Sequence, residues 1–397
     1  MGEKINLSPI KEMELRASRI PGVVSLAQGV PSFDTPEPIK RRAIEAIEQG
    51  KVAKYSLSPG ILEFRETIAH YLEKENKFFD FETEIIATAG SIEAITATLL
   101  AILEPGDEVL IPDPTYTSYQ SAIKVARGTP IFVPLDEEKG WAFDIDKFEK
   151  LITPRTRAFL FCNPNNPTGT IFSRNQLHAL AQLAIKHNLY IFSDEVYKDF
   201  VFEDNGGSTS TGRSNLPLYS LAELRGIRDR LIYIFSFSKA YAMTGWRIAY
   251  LATHQELAKK ILAVHDALVT CAPVVSQYAA LAALEMADSE LAKYHQIYKK
   301  RRDLICRRLD KLTKVFSYQK PDSAYFVFPR IKDEYLKKIS TDGGSWQFAI
   351  ELLEKARVAT VPGAAFGPSG ENHIRMCFGR SEEDINLAFD RMEKYFS

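Results

Sequence analysis

The stretch LIYIFSFSKAYAMTGWRIAYLA, residues 231–252, sets an apolar run, a short polar loop and a second apolar run in succession. LIYIF (231–235) and RIAYLA (247–252) read as buried strands, because their continuous apolar character leaves no polar face for water. The loop between them carries three small hydroxyls (Ser236, Ser238, Thr244) together with Lys239 and Arg247. A lysine, an arginine and hydroxyls gathered where a buried strand ends suit an anionic molecule held both by charge and by short donors.

Working outward, EVLI (108–111), PIFVPL (130–135), RAFLFC (157–162) and LYIFS (189–193) read as further buried strands. They alternate with segments such as SIEAITATLLAILE (91–104) and RNQLHALAQLAIKH (174–187), whose apolar spacing is near 3.6. Pro105-Gly106-Asp107 stops the first of these helices before its strand. The pattern predicts an α/β fold with a mostly parallel central sheet sandwiched by helices, binding ligands at the carboxyl ends of its strands. From about residue 287 the texture changes. ELAKYHQIYKKRRDLICRRLDKL (290–312) is a charged amphipathic helix long enough to link two domains. AYFVFP (324–329), RVATVP (357–362) and HIRMCF (373–378) then read as strands of a second, smaller α/β domain, with helices at 344–355 and 381–395. The N-terminal segment has no evident sheet partner in the central block. The expected organisation is therefore residues 1–48 and 287–397 in a small domain built from both termini, around a large domain at 49–286.

Fifty basic residues balance 51 acidic ones, which argues against a nucleic-acid or membrane-surface binder and points to small-molecule partners. A chain of 397 residues, at roughly 150 per domain, predicts two or three domains. The four cysteines (Cys162, Cys271, Cys306, Cys377) are scattered without a CxxC pair, as expected of reduced thiols. MGEKINLSPIKEMELRA (1–17) lacks a signal-peptide apolar core, and Asn6 breaks the myristoylation pattern. No apolar run approaches the roughly 18 residues of a membrane span. A soluble cytoplasmic protein is expected. GSTSTGRS (207–214), in the polar stretch 204–215, nearly spells a phosphate-binding loop; Arg213 in place of lysine and the following Pro217 favour a plain exposed loop.

Other loops supply parts that complement 236–247, if the ligand carries an aldehyde, a pyridine ring and a phosphate. Lys239 is the amine for the aldehyde. Arg247, Ser236 and Ser238 are donors for the phosphate, joined by backbone N–H groups in ATAGSIEAI (87–95), where Gly90 turns the chain and Ser91 and Ile92 open a helix. SDEVY (193–197) places Asp194 at a strand end, where a carboxylate keeps a ring nitrogen protonated, and Tyr197 one turn on. Singly, each feature has an ordinary reading: a solvated strand end, a helix cap, or, for NPNNPTG (163–169), a turn cluster. Their conjunction on one face of the sheet is what points to a single cofactor.

NPNNPTG, SDEVY and SFSKAYAMTGWR (236–247), in this order, resemble the class I/II aminotransferases, fold-type I enzymes dependent on pyridoxal 5′-phosphate. GVVSLAQGVPSFDTP (22–36), YSLSPGILEFRETIA (55–69), PDPTYTSY (112–119), VPGAAFG (361–367) and HIRMCFG (373–379) extend the resemblance over nearly the whole chain. It implies that Lys239 holds the cofactor covalently and later moves the proton, while Asp194 pairs with the ring nitrogen. Asn166 and Tyr197 would bind the ring's phenolic oxygen and Tyr116 would stack on the ring. Gly90, Ser91, Ile92, Ser236, Ser238 and Arg247 would hold the phosphate, and Tyr55 would reach the phosphate of a neighbouring subunit in a homodimer with shared sites. Arg375 would grip the substrate α-carboxylate, with Asn166 and the Gly29 backbone lining the same pocket. No metal is implied.

Three positions depart from the family's common pattern: Ser323 before Ala324-Tyr325-Phe326, Ala249 and Ile92. The implied reaction is transfer of an amino group between an L-amino acid and a 2-oxo acid by a ping-pong mechanism. HDALVTCAP (265–273) lacks the arginine that some acid-specific relatives carry, so broad, aromatic or apolar specificity is expected, with glutamate/2-oxoglutarate as one partner. Aspartate aminotransferase activity is the alternative specificity. Carbon–sulfur β-lyases and aminocyclopropane carboxylate synthases are alternatives on the same fold. A transcriptional regulator on this fold is set aside, because the resemblance begins by about residue 22.

Overall fold

Seven strands form one sheet in the computed structural model, which describes residues 7–202, 218–286, 288–339 and 344–397. A short strand β1 (Val24–Ser25) comes first in the chain, followed by β2 (Ile85–Thr88), β3 (Glu108–Asp113), β4 (Thr129–Pro134) and β5 (Thr156–Cys162). The sheet is completed by β6 (Tyr190–Asp194), β7 (Leu231–Ser236) and β8 (Ala249–Thr253). The order is β2-β8-β7-β6-β5-β3-β4, and only β8 runs antiparallel to its neighbours. Both faces are buried, and β5 shows how. Ala158, Leu160 and Cys162 join one hydrophobic cluster while Phe159 and Phe161 join the other, as the two-residue period requires.

All six apolar runs read as central strands pair in this sheet. Two details differ from the sequence reading. RIAYLA enters its strand only at Ala249, because Arg247 sits at φ 55°, a left-handed conformation incompatible with a strand. The edge strand β2 is a four-residue IIAT between Glu84 and the Gly90 turn, too short for a periodic signal. The GSTSTGRS stretch lies outside the described residues.

Helices up to the end of the sheet are α1 (Pro9–Ser18), α2 (Glu37–Glu48), α3 (Leu62–Glu73), α4 (Ser91–Ile102), α5 (Thr117–Val125) and α6 (Ile145–Lys150). They are followed by α7 (Arg174–His187), α8 (Gln255–Val269) and α9 (Val274–Glu285). The predicted boundaries of α7 match the structure. Its start is fixed by a reciprocal capping box, in which Ser173 Oγ accepts from Gln176 N (3.3 Å) and Gln176 Oε1 accepts from Ser173 N (2.8 Å).

Beyond the sheet lie α10 (Asp288–Leu309), β9 (Phe316–Ser317), β10 (Phe326–Val327), β11 (Arg330–Ile331), α11 (Asp333–Ile339) and α12 (Ser345–Glu351). The chain closes with β12 (Val358–Ala359), β13 (Val361–Pro362), β14 (Ile374–Cys377) and α13 (Glu382–Phe396). β14 is central to a three-stranded antiparallel sheet between β10 and β13. The N-terminal segment serves both regions: β1 pairs with β12, and α2 packs along α9. No helix among the described residues is long and apolar enough to cross a membrane.

Replacing Ser173 with alanine removes the acceptor of the α7 capping box. The expected loss is about 1 kcal/mol of stability, read as a lower urea midpoint at unchanged slope.

Candidate active site

The carboxyl ends of β2, β3, β5, β6 and β7 lie on one edge of the sheet, and antiparallel β8 begins there. A cavity of about 490 Å³ opens at this edge. Its lining includes Ser91, Ile92, Tyr116, Asn166, Asp194, Tyr197, Ser236, Ser238, Lys239, Arg247 and Arg375, so five separate strand-end loops and β14 meet in one place. Gly29 also lines it, from the loop after β1.

Lys239 Nζ donates to Gly29 O at 2.8 Å. Burial pushes this amine's pKa down to about 8, and the Arg375 and Arg247 charges act in the same direction. Gly29 leaves no room for a side chain, since a Cβ would stand 2.8 Å from the Phe326 ring. Two residues earlier, Ala27 O accepts from Arg375 Nη2 at 2.5 Å. The buried guanidinium also donates from Nη1 to Asn166 Oδ1 (3.2 Å) and lies over the Phe326 ring, 4.3 Å from its centroid. Its Nε is buried with no acceptor among the described residues.

On the opposite wall Asp194 is buried at the end of β6. Tyr119 Oη donates to Asp194 Oδ2 at 2.7 Å and Val196 N to Oδ1 at 3.3 Å. Burial raises the Asp194 pKa to about 6, against the lowering effect of the Tyr119 bond. Asn166 Nδ2 lies 3.5 Å from Tyr197 Oη. Tyr116 meets Tyr119 edge-on, with ring centroids 5.4 Å apart.

At the far end, Gly90 is the N-cap of α4 at φ 97°, and a Cβ there would lie 2.3 Å from Arg247 Nη2. The positive φ is what requires glycine, and an added Cβ would also push the flexible end of Arg247 aside. Arg247 spans the gap to Thr244 O (3.2 Å) and Ala89 O (3.3 Å). Ser236 Oγ donates to Ser238 Oγ at 3.0 Å. The N–H groups of Ser91 and Ile92 have no acceptor among the described residues, leaving free donors at a helix N-terminus.

Of the sequence-predicted residues, Gly90 stands behind Arg247 rather than in the lining, and Tyr55 is not brought to the cavity at all. Tyr55 is 84% exposed. Conversely, the sequence reading missed Tyr119, the strongest partner of Asp194. Its position in PDPTYTSY, three residues after Tyr116, was the available signal, because residues three apart share a helix face. Phe326, the platform under Arg375, entered the sequence reading only as part of the AYFVFP strand and of a departing motif, without a site role. That departure is accommodated locally: Ser323 Oγ accepts from Ala324 N at 2.6 Å, and Ala324 adopts φ 59°. His265, in the stretch that lacks an arginine, is buried with Nδ1 3.0 Å from Glu93 Oε1 and does not line the cavity.

The chain belongs to the class I and II aminotransferases, whose family description matches residues 21–392. It is therefore an enzyme dependent on pyridoxal 5′-phosphate, with the fold-type I architecture. It is 38% identical over 395 residues to aromatic-amino-acid aminotransferase 2 of Thermococcus litoralis, covering 99% of this chain and 96% of that protein. The aspartate aminotransferase of Pyrococcus abyssi is 36% identical over 393 residues, with 98% and 96% covered. An aromatic aminotransferase structure from Pyrococcus horikoshii superposes with a TM-score of 0.86 at 35% identity, covering 97% of this chain and 98% of that one.

The Asp194 environment sets a pH dependence in cofactor-free protein. Between the ordinary 3.8 and about 6 the folded chain holds a proton that the unfolded chain has lost. Stability from this group therefore falls as pH rises through that window and stays low above it. Asp194→Asn removes the penalty, so the cofactor-free variant is expected to melt higher than the parent at pH 8 and near it at pH 4. Equal melting temperatures at pH 8 would contradict this electrostatic picture.

Proposed function

We propose that this aminotransferase takes aromatic or apolar L-amino acids as donors, with glutamate and 2-oxoglutarate as one exchanging pair. The observation that carries the proposed division of roles is the convergence of Lys239 and Arg375 on one backbone segment. Lys239 Nζ is bonded to Gly29 O and Arg375 Nη2 to Ala27 O. A substrate carboxylate on Arg375, completing the unpaired Nε, brings its α-carbon toward the lysine amine.

The other residues fit pyridoxal phosphate. The free N–H groups of Ser91 and Ile92, the Ser236 and Ser238 hydroxyls and Arg247 suit its phosphate. The buried Asp194 carboxylate has no salt-bridge partner among the described residues and suits a protonated ring nitrogen, while Asn166 and Tyr197 suit the phenolic oxygen and Tyr116 a ring face. When bound, the cofactor supplies an aldehyde and an electron-withdrawing ring that acidify the substrate α-proton. Lys239 Nζ, with its pKa brought to about 8, takes that proton near neutral pH. Arg375 keeps the substrate oriented, and the burial of Arg375 and Asp194 excludes water from their charges.

Support for apolar and aromatic donors comes from Ile10, Val30, Tyr116 and Phe326 in the cavity wall, and from the absence of arginine in 265–273. The relatives named for aromatic amino acids favour the same reading. The proposed assembly is a homodimer. Tyr55 and Leu57 are 84% and 71% exposed, and Ile44, Ile47 and Leu62 add apolar surface on α2 and α3. All four cysteines are free thiols, which supports the proposed cytoplasmic location. The domain division at 48 and 286 is likewise proposed, on the pairing of β1 with β12.

Holoenzyme given phenylalanine alone should release a single equivalent of its oxo acid per subunit and stop, then resume on addition of 2-oxoglutarate. Lys239→Ala should slow this release by about a thousandfold or more. A strong kinetic preference for aspartate over phenylalanine and leucine would overturn the specificity. Sedimentation equilibrium should give twice the chain mass, and a monomer with full activity would refute the dimer.

A further inference from the structure

We infer that Lys11 is the side-chain carboxylate receptor for acidic substrates, a specificity residue that lets an otherwise apolar wall accept glutamate and 2-oxoglutarate. This rests on the proposed reading of the cavity. Four cations line it: Lys239, Arg247, Arg375 and Lys11. Geometry commits the first three. Lys239 is held by Gly29 O, Arg247 is wedged against Gly90, and Arg375 is buried between Ala27 O and Asn166. Lys11 has no acidic partner among the described residues and is solvent-exposed at the lip, the one lining cation with its charge uncommitted.

Its position is nevertheless built. Ser8 Oγ caps α1 by accepting from Lys11 N (3.4 Å), with Pro9 as the first helical residue. Met13 and Ala17 bury the inner face, and Glu14 Oε1 accepts from Ser25 Oγ at 2.6 Å, fastening α1 to β1. α1 also packs against β13, the strand paired with β14 at Val361 and Arg375. The first turn of α1 thus carries an apolar Ile10 and a cationic Lys11 to the same cavity that Arg375 enters. An aromatic side chain takes the Ile10 surface. An acidic one engages a flexible ammonium that otherwise points to water, so neither substrate demands desolvation of an unpaired buried charge.

The test compares parent, Lys11→Met and Lys11→Arg holoenzymes in single-turnover oxo-acid release from glutamate and from phenylalanine. Calorimetry with two unreactive mimics, glutarate and 3-phenylpropionate, gives a readout separate from turnover. Lys11→Met should raise the half-saturating glutamate concentration and the glutarate Kd by about tenfold to a hundredfold, leave the phenylalanine values within about twofold, and be rescued largely by arginine. Parallel losses for both substrates would mean that Lys11 only supports α1, and no loss for either would remove it from recognition; both outcomes overturn the inference. A parent that uses phenylalanine but not glutamate also overturns it. A parent inert toward both amino acids would instead bring down the underlying reading of the cavity, and this inference with it.

Discussion

Burying a guanidinium is costly wherever its donors lack acceptors, and Arg375 is buried almost completely, with Nη1 and Nη2 bonded and Nε left open among the described residues. Its acceptors come from places far apart in the chain. Ala27 O belongs to the N-terminal segment and Asn166 Oδ1 to the loop after β5, while the arginine itself stands on β14. The N-terminal segment, the large sheet and the C-terminal strands are thereby tied at one cation. Because Gly29 O, two residues on from Ala27, accepts from Lys239, the same tie fixes the lysine amine relative to the guanidinium. Phe326 underlies both arrangements: it floors Arg375 and presses against Gly29 so closely that only a hydrogen fits there.

The buried charges around this tie are balanced selectively. Glu195, next to Asp194, is neutralised inside the protein by Lys77 at 3.3 Å and by the Ser193 hydroxyl at 3.1 Å, and Lys77 is itself paired with Glu75 at 2.9 Å. Asp194 receives only neutral donors, from Tyr119 and Val196, and its pKa rises accordingly. The two adjacent carboxylates thus differ in their hydrogen-bond partners and in that Glu195 alone has an ion-pair partner among the described residues. Asp194 meets its burial by holding a proton up to about pH 6, and a cation beside it would favour its ionised form. The depressed pKa of Lys239 is the complementary case, an amine that burial and nearby arginines push toward its neutral form.

Much of the fold was legible in the sequence because buried parallel strands are apolar on both faces: RAFLFC has no alternative use for its residues. β2 escaped because a four-residue edge strand paired only to β8 carries almost no pattern. At the cavity, residues whose role follows from chemical type at a strand end, such as Lys239, Asp194 and Arg247, were readable. Tyr119 and Phe326 were not. Their contributions are a hydroxyl aimed at a carboxylate and a ring beneath a guanidinium, both set by three-dimensional placement of residue types that ordinarily fill cores. Tyr55 raised the opposite difficulty: sequence resemblance gave it a role that one chain alone cannot express.

The arrangement separates what must stay fixed from what is free to vary. The groups proposed to meet the cofactor and the α-carboxylate are seated on strand ends of the central sheet and on β14, several of them buried, and Asn166 and Arg375 each bond to two other segments. The surface proposed for the substrate side chain is different in kind. It includes the first turn of α1, a helix attached through one buried face and a single Glu14–Ser25 bond, with its cavity-facing residues partly in water. Neither Ile10 nor Lys11 makes a side-chain hydrogen bond to Arg375, Asp194 or Lys239, so their shape and charge are separate from the bonds that hold those three. Proteins named for aromatic amino acids and for aspartate both lie at 36–38% identity to this chain over nearly its whole length. Such a spread of names on one architecture is what this division would permit, if side-chain preference resides in the proposed contacts of α1 rather than in those that seat the reacting centre.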